Sequence, residues 1–164
     1  MLRRTIAPAF LLVLTATSVG AARSSHFKSP PWLSIESPVN PYDSATRDAA
    51  FLVRAWAHGN PIGVTDLAGS AEGLVDGKRQ SIPLRIEATP RPDVYAVRRQ
   101  WPAGGAWVVR VTLLRSVTAI VSLDAAGTVS GVRVPTRMNS GVPLPRAVAA
   151  SEIDSALAAV AARR

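Results

Sequence analysis

Cysteine is absent from the 164-residue chain. Its absence excludes thiol catalysis, thiolate metal sites, redox switching and lipid attachment at an N-terminal cysteine. Histidine is nearly absent: His26, His58 and Met138 are the only nitrogen or sulfur ligands beyond the first residue, where soft copper sites combine several. Lysine is scarce as well, since of 19 basic residues only Lys28 and Lys78 are not arginine. No Gly-x-Ser-x-Gly, His-Glu-x-x-His or phosphate-cradling Gly-x-x-x-x-Gly-Lys-Ser/Thr occurs. Gly69-Ser-Ala-Glu-Gly73 has a superficial likeness to a nucleophile elbow, but it precedes an expected hairpin instead of a helix. Long apolar runs are missing too. The stretch 107–123 is interrupted by Arg110 and Arg115, and the run at 6–16 is shorter than the ~20 residues a membrane span needs.

That short run fits a secretory signal. Arg3 and Arg4 form a charged start, 6–16 the apolar region, and Ser18-Val-Gly-Ala-Ala22 offers small residues for cleavage after Ala21 or Ala22. Retention as an anchor is the alternative. Residues 1–22 are thus expected to be a signal peptide and 23–31 a flexible lead-in, placing the protein in the periplasm or outside the cell, with no membrane span after signal removal. The formal charge is +8. The arginines are scattered in singles and pairs, which opposes nucleic-acid binding.

What is present is a series of short strands with turn chemistry between them. Residues 32–38 and 50–57 alternate, the first with Leu33 and Ile35 opposite Ser34 and Glu36, the second with Phe51, Val53 and Ala55 opposite Arg54 and Trp56. Residues 62–67 can form a short strand. Segments 70–75 and 79–88 flank Asp76-Gly77, a hairpin signal, and Pro83 marks the second as an edge or faces away from its neighbour. Residues 94–101 and 106–114 read as two strands paired through a turn at 102–105; 117–123 and 128–134 are joined by Asp124-Ala-Ala-Gly127. Residues 135–145 read as a loop. In the last segment Ile153, Ala156, Leu157 and Val160 fall on one helical face, docked on the protein's own sheet or on a partner; Ser151 and Asp154 suggest its cap. The expected fold is all-β: an antiparallel β-sandwich of seven to eight strands over 32–135, followed at 136–164 by a loop and a C-terminal amphipathic α-helix.

At Asp93-x-Tyr95, followed by Gly105-x-Trp107, the chain resembles small bacterial envelope domains of immunoglobulin-like fold, especially the YtkA-like group. The resemblance covers roughly residues 50–112, and Asp93 stands where glycine is commoner in that group. It implies an immunoglobulin-like sandwich in which Tyr95 turns its hydroxyl onto the preceding loop and Trp107 packs in the core. It also implies a link to copper-handling settings.

The leading expectation is a non-enzymatic binding or interaction module of the cell envelope, without a cofactor, recognising an envelope protein or cell-surface ligand. The alternative is an accessory periplasmic metal domain handling copper. Trp56 is expected either to stand exposed beside Arg54 or to pack under a loop or the helix. The candidate interaction surface comprises Trp56, His58, Arg91, Ile153, Leu157 and Val160. Glu72 and Glu87 could meet across their hairpin for acid–base work, with surface charge as the simpler reading.

Overall fold

The computed structural model describes residues 30–163, so the expected signal peptide and most of the lead-in lie outside the described residues. In chain order the elements are β1 (Trp32–Glu36), β2 (Ala49–Ala57), β3 (Asn60–Pro61), β4 (Leu67–Val75), β5 (Lys78–Leu84), β6 (Ile86–Ala88) and β7 (Val94–Arg98). Then follow β8 (Ala106–Leu113), β9 (Val117–Leu123), β10 (Val129–Arg133), β11 (Thr136–Asn139), β12 (Val142–Pro145) and α1 (Ala150–Ala161). The protein is therefore mostly antiparallel sheet with one short C-terminal helix. Twelve strands occur among the described residues in place of seven or eight. Eight of them run five residues or more; the other four, β3, β6, β11 and β12, are too short for periodicity to register.

One sheet has the order β1-β2-β7-β6, with β3 also on β2; a second has β10-β9-β8-β4-β5; β11 and β12 form a separate hairpin. Phe51, Val53, Ala55 and Val97 of the first sheet meet Ala71, Trp107, Val109, Val111, Ala119 and Val121 of the second in one core. Trp107 is fixed there by its indole N–H, which donates to the Gly104 carbonyl at 2.6 Å. Its ring lies flat against Gly73, the only residue type that leaves room for it.

The two runs around 102–105 are both strands, but they do not pair with each other. β7 pairs with β2 and β6, whereas β8 pairs with β4 and β9, so residues 99–105 carry the chain from one sheet to the other. Alternation places inner faces correctly without distinguishing strands that lie side by side from strands that face across a core. The segment 79–88 divides similarly, β5 joining the second sheet as an edge and β6 the first. Asp76 and Gly77 adopt φ of 49° and 73°, as a two-residue hairpin turn requires. Residues 62–66 are not a strand. Their Val64 instead donates its N–H to the Tyr95 hydroxyl at 2.8 Å and accepts from it at 2.9 Å, so Tyr95 secures the β3–β4 connection and not the loop just before its own strand.

Helix α1 covers the outer face of the second sheet. Ile153, Leu157 and Val160 are buried against Ala106, Val108 and Ile120, so the apolar stripe is occupied by the protein's own sheet. The helix starts two residues earlier than Ser151 capping would have it: Ala149 is the N-cap, and Glu152 accepts its backbone N–H at 3.0 Å. Arg146 grips the same carboxylate with two bonds of 2.7 and 3.1 Å, and Arg133 of β10 lies 3.4 Å away. The Arg146 hydrogen bonds, then the Ala149 N–H, hold the Glu152 carboxyl down at about 2.

Two outcomes follow from this packing. Gly73→Ala would bring a Cβ to 2.3 Å from the Trp107 ring, and urea denaturation should show a loss of about 1–3 kcal/mol. Because the folded pKa of Glu152 is depressed, its contribution is full above the ordinary glutamate range and lost as pH falls from that range towards about 2. Acid titration of wild type against Glu152→Gln should show that pH-dependent component in the wild type only.

Candidate functional site

With the outer face of the second sheet occupied, the outer face of the first is where polar and aromatic groups converge. On β1 the inner positions are Leu33 and Ile35, so Trp32, Ser34 and Glu36 point outward. On β2 the outward residues are Leu52, Arg54 and Trp56. Register then sets the rows: Trp32 lies opposite Trp56, Ser34 opposite Arg54, and Glu36 opposite Leu52. On the other edge of β2, Pro61 lies opposite Trp56 and Val94 opposite Arg54. A Trp32–Trp56–Pro61 row therefore crosses one end of the sheet. Trp32 is 38% exposed, Trp56 half-buried and Pro61 exposed.

Trp56 is held by two contacts. Its indole N–H donates to the Ser34 hydroxyl at 2.7 Å, and the Arg54 guanidinium carbon lies 5.5 Å from its ring centroid, a cation–π arrangement. Helix α1 packs on the other sheet, away from Trp56. Arg54 is itself half-buried, and among the described residues no carboxylate pairs with it. Beside it is a depression of about 210 Å³ lined by Ser34, Glu36, Leu52, Arg54, Trp56 and Val94.

The far rim is an ion-pair bridge. Arg91, from the loop before β7, donates to Glu36 at 3.1 and 3.5 Å and lies 4.0 Å from Asp43. The Thr46 hydroxyl at 2.8 Å, the Ala45 N–H and the Arg91 charge, in that order, lower the pKa of Asp43. Val39, from the same loop, closes over Leu52, Val94 and Ala96, so this half of the outer face is sealed. Among the described residues no such cover lies over the tryptophan end.

His58 stands in the β2–β3 turn with φ of 51°, exposed, beyond the end of the tryptophan row. Met138 is exposed on the β11–β12 hairpin, and His26 lies outside the described residues. Among the described residues no three His, Cys, Asp or Glu side chains gather to hold a metal ion. Glu72 and Glu87 are not brought together. Glu72 sits on β4, nearly buried, accepting from Ser70 at 2.8 Å and Ser81 at 3.0 Å with Arg79 at 3.6 Å, whereas Glu87 sits on β6 in the other sheet and pairs with Arg98. Ser70 lies mid-strand, so the Gly69–Gly73 stretch makes no nucleophile elbow.

A larger depression, about 350 Å³, opens between α1, β9 and β10. Its polar groups are largely engaged: Arg133 faces Glu152, Ser130 donates to the Ser122 carbonyl and Ser155 to the Ser151 carbonyl. The sheet face around Trp56 is the better candidate because Arg54 is half-buried and stacked on an indole with no carboxylate partner among the described residues, whereas Arg163 at the larger depression is exposed. Of the residues singled out from sequence, Trp56 and Arg91 flank this site, His58 is nearby along the chain, and Ile153, Leu157 and Val160 are buried under α1. Trp32, Ser34, Glu36 and Arg54 complete it; alternation puts the first three on one face, but only the β1–β2 register sets them against Trp56.

The arrangement defines an antiparallel β protein with an aromatic and cationic face on its first sheet. Comparison with known proteins finds no matching family model, curated protein or solved structure.

Removing the Ser34 hydroxyl tests how Trp56 is held. Ser34→Ala should increase acrylamide quenching of tryptophan fluorescence while costing less than about 1.5 kcal/mol in denaturation, since the contact lies at the surface.

Proposed function

We propose that the protein is an exported, non-enzymatic binding module of the cell envelope, built on an immunoglobulin-like β-sandwich, with the open face of the first sheet turned towards its ligand. The observation that carries this reading is the Trp32–Trp56–Pro61 row with its stacked Arg54, uncovered among the described residues while the opposite outer face is covered by α1. Aromatic and arginine side chains supply large contact area with few rotors, which is why they concentrate binding energy. An enzyme would need a general acid, base or nucleophile held against such a surface. Here the neighbouring carboxylates, Glu36 and Asp43, are engaged by Arg91.

Strand order supports the immunoglobulin-like part. The orders β1-β2-β7-β6 and β9-β8-β4-β5 correspond to the ABED and GFC sheets of that fold with an added C′ strand, and β10 extends the second sheet beyond. Tyr95 and Trp107, which carry the resemblance to the YtkA-like group, sit on consecutive long strands in opposite sheets. Tyr95 departs from the usual tyrosine corner, bonding a residue 31 positions upstream. Export rests on the charged start, short apolar run and small-residue segment at 1–22. No helix among the described residues is long and apolar enough to cross a membrane.

Co-sedimentation with isolated envelope fractions tests the reading. Wild-type protein should pellet with at least one fraction, and the folded double variant Trp32→Ala/Trp56→Ala should lose most of that association. Equal pelleting of both proteins would rule this face out.

A further inference from the structure

We infer that the depression beside Trp56 binds an acidic pyranose, a sugar ring carrying a carboxylate, as presented by a polyuronate, with Arg54 as the anion anchor. The inference rests on the binding-module reading and names the ligand class of that same face.

The anchor comes first. Most arginines on this side of the protein are paired: Arg91 with Glu36, Arg98 and Arg85 with Glu87. Arg54 is half-buried, stacked on Trp56 and without a carboxylate among the described residues. Stacking orients the guanidinium before any ligand arrives, and a planar fork held in that way matches a carboxylate with two parallel hydrogen bonds. Partial burial strengthens such a pair relative to one in open water.

The rest of the face selects a ring over a bare anion. A pyranose has a flat apolar C–H face and a polar hydroxyl edge. Arg54 lies over the Trp56 ring, so the matching flat surface is the indole of Trp32, 38% exposed and opposite Trp56 in register, while Trp56, fixed by its bond to Ser34, holds the anchor. Along the edge stand Ser34, whose hydroxyl accepts from Trp56 and keeps its own hydrogen to donate, and Glu36, whose oxygens retain lone pairs beyond those used by Arg91. At about 210 Å³ the depression is smaller than sites for drug-sized ligands, roughly 300–1,000 Å³, and suits a single ring with its neighbours outside. The chain's net charge of +8 favours a polyanionic carrier.

The test is a tryptophan-fluorescence titration of the full chain with oligogalacturonate. Maltotetraose serves as a neutral pyranose, polyglutamate as a carboxylate polymer without rings, and oligo-dT as a stacking polyanion. Saturable binding of oligogalacturonate is expected, with each comparator at least about tenfold weaker. Arg54→Gln and Trp56→Ala should each weaken it by about tenfold or more, as for a lost charge-assisted bond or stacking contact, and Arg54→Lys should fall between. All variants are checked for folding by circular dichroism, and substitutions at this surface leave the core intact. Equal affinity for polyglutamate, maltotetraose or oligo-dT overturns the inference, as does binding indifferent to Arg54→Gln. Absence of oligogalacturonate binding, while Trp32- and Trp56-dependent association with envelope fractions persists, removes the acidic-pyranose inference and leaves the module reading standing. Loss of both removes both.

Discussion

The outer surface is constrained by the core that the two sheets share, in which the Trp107 ring lies over Gly73 of the neighbouring strand. A strand has only two faces. Once Phe51, Val53, Trp107, Val109 and their neighbours commit the inner faces to a shared interior, recognition can be built only on outer faces, edges or loops. The outer face of the second sheet is then used up by α1, whose Ile153, Leu157 and Val160 cover Ala106, Val108 and Ile120. On the first sheet the 39–48 loop covers Leu52, Val94 and Ala96 and stops short of the tryptophan row. Among the described residues, the candidate site lies where the loop's cover over Leu52 and Val94 gives way to the tryptophan row.

Polar anchoring keeps both covers in place. Glu152 ties α1 to Arg146 and Arg133, and Arg79 of β5 reaches Asp154, so helix and sheet are joined at two separate points. The loop is held by Arg98 on the Ala45 carbonyl and by Asp43 on Thr46 and the Ala45 N–H. Exposed ion pairs contribute little individually, typically about 0–1 kcal/mol, so their role is to fix position more than to supply stability. Burial beneath the covers supplies the larger share, at about 25 cal/mol per Å² of apolar surface removed from water.

Strand positions were legible in the sequence wherever alternation ran for five residues or more, and the Asp76-Gly77 turn was legible because positive φ at two successive positions demands such residues. Partnership between strands was not. Residues 94–101 and 106–114 look like a hairpin because both present apolar faces across a turn-like link, yet those faces meet through the core from opposite sheets. The division of 79–88 at Arg85 left no periodic mark either. Alternation placed Arg54 and Trp56 outward together, and it placed Ser34 and Glu36 on one face of β1. Uniting them needed the antiparallel register of β1 on β2, which is set by long-range packing. The helix face was visible, but whether it met its own sheet or a partner depended on Ala106, Val108 and Ile120, some 40 residues upstream.

An exposed tryptophan on an edge strand beside a half-buried one would ordinarily be an association hazard, and flanking charges are the usual protection. Arg54, Glu36 and Arg91 could be read as that protection alone. Geometry separates Arg54 from the other two. A guarding charge projects into solvent, as Arg85 and Arg115 do with side chains 83% and 92% exposed. Arg54 instead folds back over the indole, half-buried, giving up part of its hydration without a carboxylate partner among the described residues. Such a placement weakens a solubility role and leaves a partly desolvated, oriented cation facing a depression. A ligand carboxylate would meet a partner whose desolvation and ordering are already partly complete, which is the condition under which a surface arginine contributes to affinity.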